Sequence, residues 1–224
     1  MQKFIIRANE SWLCTKDGNR NMCLHHDTEA FYHSDYCGGG NWMVDGTIEN
    51  MICTLKNDRT PYPDVVLSRK TAQLRQILQI DLPEILRLSG YPTLMVCVIP
   101  RAKHENHYGN EQKLFRASIQ TTINSVINGF IDGTHCIIRH TDTRTTHSNK
   151  SGHGGNGPMP YCGITNDTCT ISNVQGQNIL LIDDLYTKSV GIDEDAIQAL
   201  YDNGANKVFF YSIGKTVFRN YYSL

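Results

Sequence analysis

Two adjacent acids, Asp183 and Asp184, follow the apolar run Ile179-Leu180-Leu181-Ile182. The polar stretch Tyr186-Thr187-Lys188-Ser189-Val190-Gly191 comes directly after Leu185. Paired carboxylates at the end of a buried strand can accept hydrogen bonds from vicinal hydroxyls. A short loop that runs into a helix presents backbone N–H groups to an anion. Hydroxyls and an anion together describe a phosphorylated sugar. A second loop, Pro100-Arg101-Ala102-Lys103, follows another apolar run at 93–99. The arginine fork donates to two oxygens at once, which suits an anionic group. The plain alternatives are two solvated acids at a strand end and solvated loop charges.

The elements that must position these residues follow from periodicity. Runs at 93–99, 178–183 and 207–213 are near-continuously apolar, as strands buried on both faces are. Phe115, Ile119, Thr122, Ile123, Val126, Ile127 and Phe130 fall on one helical face, and a short strand is expected at 136–139. Ile192, Ala196, Ala199 and Leu200 mark a helix after the acid pair, which Gly204 can stop in the left-handed conformation. Asp193, Glu194 and Asp195 read as first-turn residues, where acids are favoured. Alternating strands and helices predict an α/β fold whose central, mostly parallel sheet is flanked by helices. Ligands bind such sheets at the carboxyl ends of the strands.

The segment from Asn178 to Gly191 resembles the phosphoribosyl diphosphate motif of type I phosphoribosyltransferases, which has four apolar residues, two acids, a Thr-rich loop and a helix. The loop at Pro100 is similar to that of the amidophosphoribosyltransferase-like, competence-associated branch. The resemblance implies the type I phosphoribosyltransferase fold with an irregular N-terminal hood. It implies that Asp183 and Asp184 hold ribose hydroxyls and act in catalysis. Thr187, Lys188, Ser189, Val190 and Gly191 would wrap the 5-phosphate, and Pro100, Arg101, Ala102 and Lys103 the diphosphate. Further candidates are Arg139, Arg144 and Lys150 around a lid, with Tyr186 and with Lys215 near the acceptor. The implied activity is transfer of a phosphoribosyl group from 5-phosphoribosyl 1-diphosphate to a nitrogenous base or amine, with Mg²⁺ carried mainly by the ligand. The sequence departs from the family at Lys188, Ser189 and Gly191, which stand where Thr, Gly and Thr are usual. A binding or effector protein of the same fold, impaired in catalysis and acting in a larger complex, is therefore the alternative.

Residues 1–92 read as an extension or hood, with strand-like pieces at 3–7 and 51–55. A helical segment covers 67–90, and Pro83 is expected to interrupt it. Residues 93–224 read as the core, with a long flexible loop at 140–167. The Gly152-His153-Gly154-Gly155-Asn156-Gly157 run matches a dinucleotide fingerprint, but no strand precedes it and prolines follow it. Of eight cysteines, Cys14, Cys23 and Cys37 lie near His25, His26 and His33 and are candidate zinc ligands, but no Cys-x-x-Cys pair accompanies them. Net charge is -1, so no global field recruits nucleic acid. No apolar stretch is long enough to span a membrane, and no signal peptide is evident, so a cytoplasmic protein is expected. The expected partners are phosphoribosyl diphosphate or a nucleotide, and a homo-oligomer or larger complex.

Overall fold

The computed structural model describes residues 1–8, 24–58, 61–125, 128–145, 163–188 and 190–217. A six-stranded mixed sheet forms its centre. Its strands are β1 (Gln2–Ile6), β2 (Thr28–Tyr36), β3 (Leu94–Val98), β4 (Phe130–Asp132), β7 (Asn178–Tyr186) and β8 (Lys207–Thr216), in the order β1-β2-β8-β7-β3-β4. Only β1 runs antiparallel to its neighbour; the other pairs are parallel. Two further strands, β5 (Ile137–Arg139) and β6 (Cys169–Ile171), pair with each other in a separate antiparallel ribbon. The helices are α1 (Ile48–Lys56), α2 (Asp64–Ser89), α3 (Leu114–Ser125) and α4 (Ile192–Asp202). No described helix is long and apolar enough to cross a membrane.

Alternation along β7 divides the interior into two apolar layers. Ile179 and Leu181 pack with Ala196, Ile197 and Leu200 of α4. Leu180 and Ile182 pack on the other face with residues of α1, α2 and α3, among them Ile52, Leu78 and Ile119. Side chains in a strand point to opposite faces with period two. Five consecutive buried residues in β3 show the same two-sided burial.

Several expectations change in the fold. Residues 51–55 are helical, not strand-like. Thr47 Oγ1 accepts the Asn50 N–H at 3.1 Å and caps α1 at its start, while Met51, Ile52 and Leu55 share its buried face. Pro83 does not interrupt α2. The carbonyl it orphans belongs to Gln79, which is exposed to water, while Leu82 and Ile85 on either side are fully buried and hold the helix on the sheet. Phe130 begins β4 rather than ending a helix, because Gly129 turns the chain at φ 87 and its carbonyl accepts the Leu94 N–H. The strand at 137–139 stands outside the main sheet. The boundary drawn at 92/93 is crossed by the sheet itself, since β2 pairs with β8 from Ala30↔Phe210 to Tyr36↔Thr216.

Gly214 of β8 lets α1 approach. A Cβ there would lie 3.1 Å from Leu185 Cδ1, 3.2 Å from Ile52 Cδ1 and 3.3 Å from Tyr36 Cβ. Gly214→Val is expected to destabilise the protein by about 2 kcal/mol through overpacking, read as a lower urea midpoint at unchanged slope.

Candidate functional site

After β3 the chain crosses through α3 to β4 on one side. After β7 it crosses through α4 to β8 on the other. β3 and β7 are neighbours, in register from Met95↔Ile179 to Val98↔Ile182, and their helices lie on opposite faces. This is a topological switch point, where the connections diverge and leave a crevice at the carboxyl strand ends. A cavity of about 410 Å³ opens there, within the size range of small-molecule sites. Its lining includes Pro100, Arg101 and Ala102 after β3, Asp183 and Asp184 of β7, and Asp193 of α4.

The two adjacent acids do not face the same way. Asp183 continues the Ile179–Leu181 face and meets α4; Asp184 continues the Leu180–Ile182 face and meets α1. The Asp184 carboxylate pairs with Lys56 Nζ at 3.0 Å. Asp183 shares a hydrogen bond with Asp193 and accepts the Asp184 N–H at 2.8 Å. Burial raises the Asp183 carboxyl to about 7, and the Asp184 charge adds to the rise, while Lys56 opposes it. Asp193 is pushed well above the carboxylate range by burial, then by Asp183 and Glu194. Burial is the largest cause of both rises, while the hydrogen bond between the two carboxyls raises Asp193 and lowers Asp183. Burial is also the largest influence on Lys56 and lowers it, but Asp184 and Asp183 outweigh that and keep the ammonium charged.

The Asp183 shift has a measurable consequence. Between the ordinary carboxylate range and about 7, the folded protein holds a proton that the unfolded chain releases. The stability contributed by Asp183 therefore falls as pH rises through that window and levels off above it. The groups facing Asp183 are Asp184, Lys56, Asp193 and, behind Asp193, Glu194. Melting temperature is expected to climb as pH drops from about 7.5 to about 5, and the slope is expected to flatten in Asp183→Asn.

The remaining candidates divide. Thr187 and Val190 line the cavity, and Val190 N–H donates to the Thr187 carbonyl at 2.9 Å. Gly191 caps α4 at φ 76, a left-handed position that suits glycine. Lys188 is exposed, and Tyr186 is buried with its hydroxyl donating to Glu194 at 2.9 Å. Arg139 and Arg144 line the cavity; Arg139 is buried and donates to the Arg101 and Gly163 carbonyls. Lys103 lines a smaller neighbouring cavity. Lys215 is not brought to the site: its ammonium lies 5.4 Å from the Phe4 ring and 5.3 Å from the Tyr32 ring. Ser189, Lys150, Cys14 and Cys23 lie outside the described residues, as does most of the 140–167 loop. Cys37 carries a free thiol, and His33 is engaged by Asp81.

Arg101 lines the cavity, but its guanidinium is engaged by protein. Nη1 donates to the carbonyls of Lys56 at 2.8 Å and Gln112 at 3.0 Å, Nη2 pairs with Asp58, and the group sits 4.3 Å from the Tyr108 ring centroid. It clasps the C-terminal end of α1. Asp193 and Lys56 were missed in the sequence. Asp193 belonged to an acid-rich first turn that needs no further explanation. Lys56 sat just past a stretch read as a strand, far along the chain from its partner.

Mg²⁺ does not fit here as an ion caged by protein. One carboxylate of the pair already holds an ammonium, and the other shares a hydrogen bond with Asp193. No protein-family model and no curated protein matches this chain. The fold class, an α/β sheet with a switch-point cavity, stands on the structure itself.

Proposed function

We propose that the chain has the type I phosphoribosyltransferase fold and binds 5-phosphoribosyl 1-diphosphate in the switch-point cavity. The observation that carries this reading is the position of Asp183 and Asp184. They lie at the carboxyl end of β7, in one cavity with the loop that enters α4 and with the Pro100 loop of the neighbouring strand. The acids would receive the ribose hydroxyls. Thr187, Val190 and Gly191 would lie along the 5-phosphate, and Arg139 and Arg144 on the diphosphate side. Mg²⁺ would enter only on the ligand's diphosphate.

In the reaction, the bond from C1 to diphosphate breaks and a bond from C1 to the acceptor nitrogen forms. The acceptor's proton passes to solvent. The protein would contribute positioning and electrostatic stabilisation of the leaving diphosphate. A second reading, a binding or effector protein without turnover, is favoured by one observation. The guanidinium expected to meet the leaving group, that of Arg101, is committed to Lys56, Asp58 and Gln112.

A thermal-shift titration with phosphoribosyl diphosphate and Mg²⁺ tests the binding. At a ligand concentration about 100 times Kd, stabilisation of about 2.7 kcal/mol is expected. No shift would count against the ligand assignment. Diphosphate release with a panel of bases and amines then separates transferase from binding protein.

A further inference from the structure

Lys56 is the one lysine among the described residues lining the main cavity, and it reaches the acid pair from a layer the sequence did not connect to it. Its position is fixed from two directions. Arg101 clasps its carbonyl, and Gln112 Nε2 donates to the carbonyl of the next residue, Asn57, at 3.2 Å. Asn57 ends α1 in the left-handed conformation at φ 49, and its Oδ1 accepts the Tyr62 N–H at 3.0 Å. The side chain then extends to Asp184. An ammonium has three donors. Asp184 takes one, and Lys56 is among the residues that line the cavity.

A divalent ion at the acid pair would have to share Asp184 with this ammonium, and two cations on one carboxylate repel each other. Lys56 is held charged by the same acids that would attract the metal. We infer that Lys56 is a ligand-binding residue that acts as the site's resident cation, so that phosphoribosyl ligands bind at Asp183 and Asp184 without a divalent metal ion. Its ammonium donates to a ligand oxygen while remaining paired with Asp184. Arg101 is in turn a positioning residue, acting through Lys56. Both assignments rest on the proposed phosphoribosyl reading and refine it.

The experiment is calorimetric titration of the full chain with ribose 5-phosphate, which carries no diphosphate to bring a metal, in EDTA and in Mg²⁺. Wild type is expected to bind equally well in both. Lys56→Gln keeps a donor for Asp184 but removes the charge; it is expected to bind about ten-fold more weakly or worse in EDTA, with part of the loss recovered by Mg²⁺. Lys56→Arg is expected to stay within a few-fold of wild type in EDTA. A purely structural lysine would not change the metal dependence. Wild-type binding that disappears in EDTA overturns the inference, and this arm needs no variant to fold. Unchanged metal-free binding by Lys56→Gln overturns it too, and leaves the phosphoribosyl site standing. If wild type binds neither ribose 5-phosphate nor phosphoribosyl diphosphate under any condition, the phosphoribosyl reading fails first and the role of Lys56 with it.

Discussion

Replacing Asp183 and Asp184 together by asparagine is expected to weaken phosphoribosyl diphosphate binding about 100-fold while leaving the fold in place. The measurement belongs at about pH 8, above the raised Asp183 value, where that carboxyl is ionised. Hydrogen bonds to a charged acceptor are stronger than those to a neutral amide by about 1.5 kcal/mol each, so the pair loses about 3 kcal/mol. Ligand that stabilises wild type by about 2.7 kcal/mol would then stabilise the variant by only about 0.4 kcal/mol. In a chain of this size that takes the thermal shift from about 5–10 °C down to about 1 °C. The fold should tolerate the change, because asparagine is close in shape to aspartate and removing the buried Asp183 charge relieves an unfavourable burial. A variant that melts like wild type and still shows the full ligand shift would remove Asp183 and Asp184 from the site.

The largest stability effect is expected away from the cavity. Asp81 lies within α2 and is 2% exposed. Its Oδ2 accepts the Tyr211 hydroxyl of β8 at 2.8 Å and lies 2.9 Å from His33 Nδ1 of β2. Tyr211 is fully buried, and burial followed by the Asp81 charge raises its phenol well above the usual range. One carboxylate oxygen thus ties a helix to two strands, and its contact with Tyr211 is fully buried. Asp81→Ala would strand the Tyr211 hydroxyl and open a void, at an expected cost of about 4 kcal/mol. The melting temperature should fall by on the order of 10 °C. Tyr211→Phe removes the stranded donor, so the double variant should cost less than the two single changes added, with a coupling of about 1–3 kcal/mol. Strict additivity would show that the network holds nothing together.

Both effects depend on alternation in strands. Adjacent residues of a strand point to opposite faces, so the acids next to each other in sequence line one cavity but meet different layers. Asp183 meets a carboxyl from α4, and Asp184 meets an ammonium from α1. Their partners differ because their layers differ. A reading that treats Asp183 and Asp184 as one vicinal pair misses this.

The sequence by itself determined the parallel strands that carry the site. Runs as apolar as Leu94–Val98 and Ile179–Ile182 have no stable place except between two covering layers. It also determined that two acids emerge where one of those runs ends, that a helix follows at Ile192, and that the chain belongs to the α/β class. The tertiary structure alone decided what those acids touch. Lys56 was hidden because Met51, Ile52 and Leu55 form a short apolar cluster that serves a strand or a helix equally well, and its helix is settled by the Thr47 cap and by packing on β8 at Gly214. Arg101 was legible as a basic loop residue, but not as a clasp, because its acceptors are carbonyls and a carboxylate from α1, the residues after it and the segment before α3. Local pattern records which residues must be buried and which turn the chain. It does not record which charges meet across layers, because that depends on how the helices lie on the sheet. The acid pair was written in the sequence; the lysine that answers it was set by the fold.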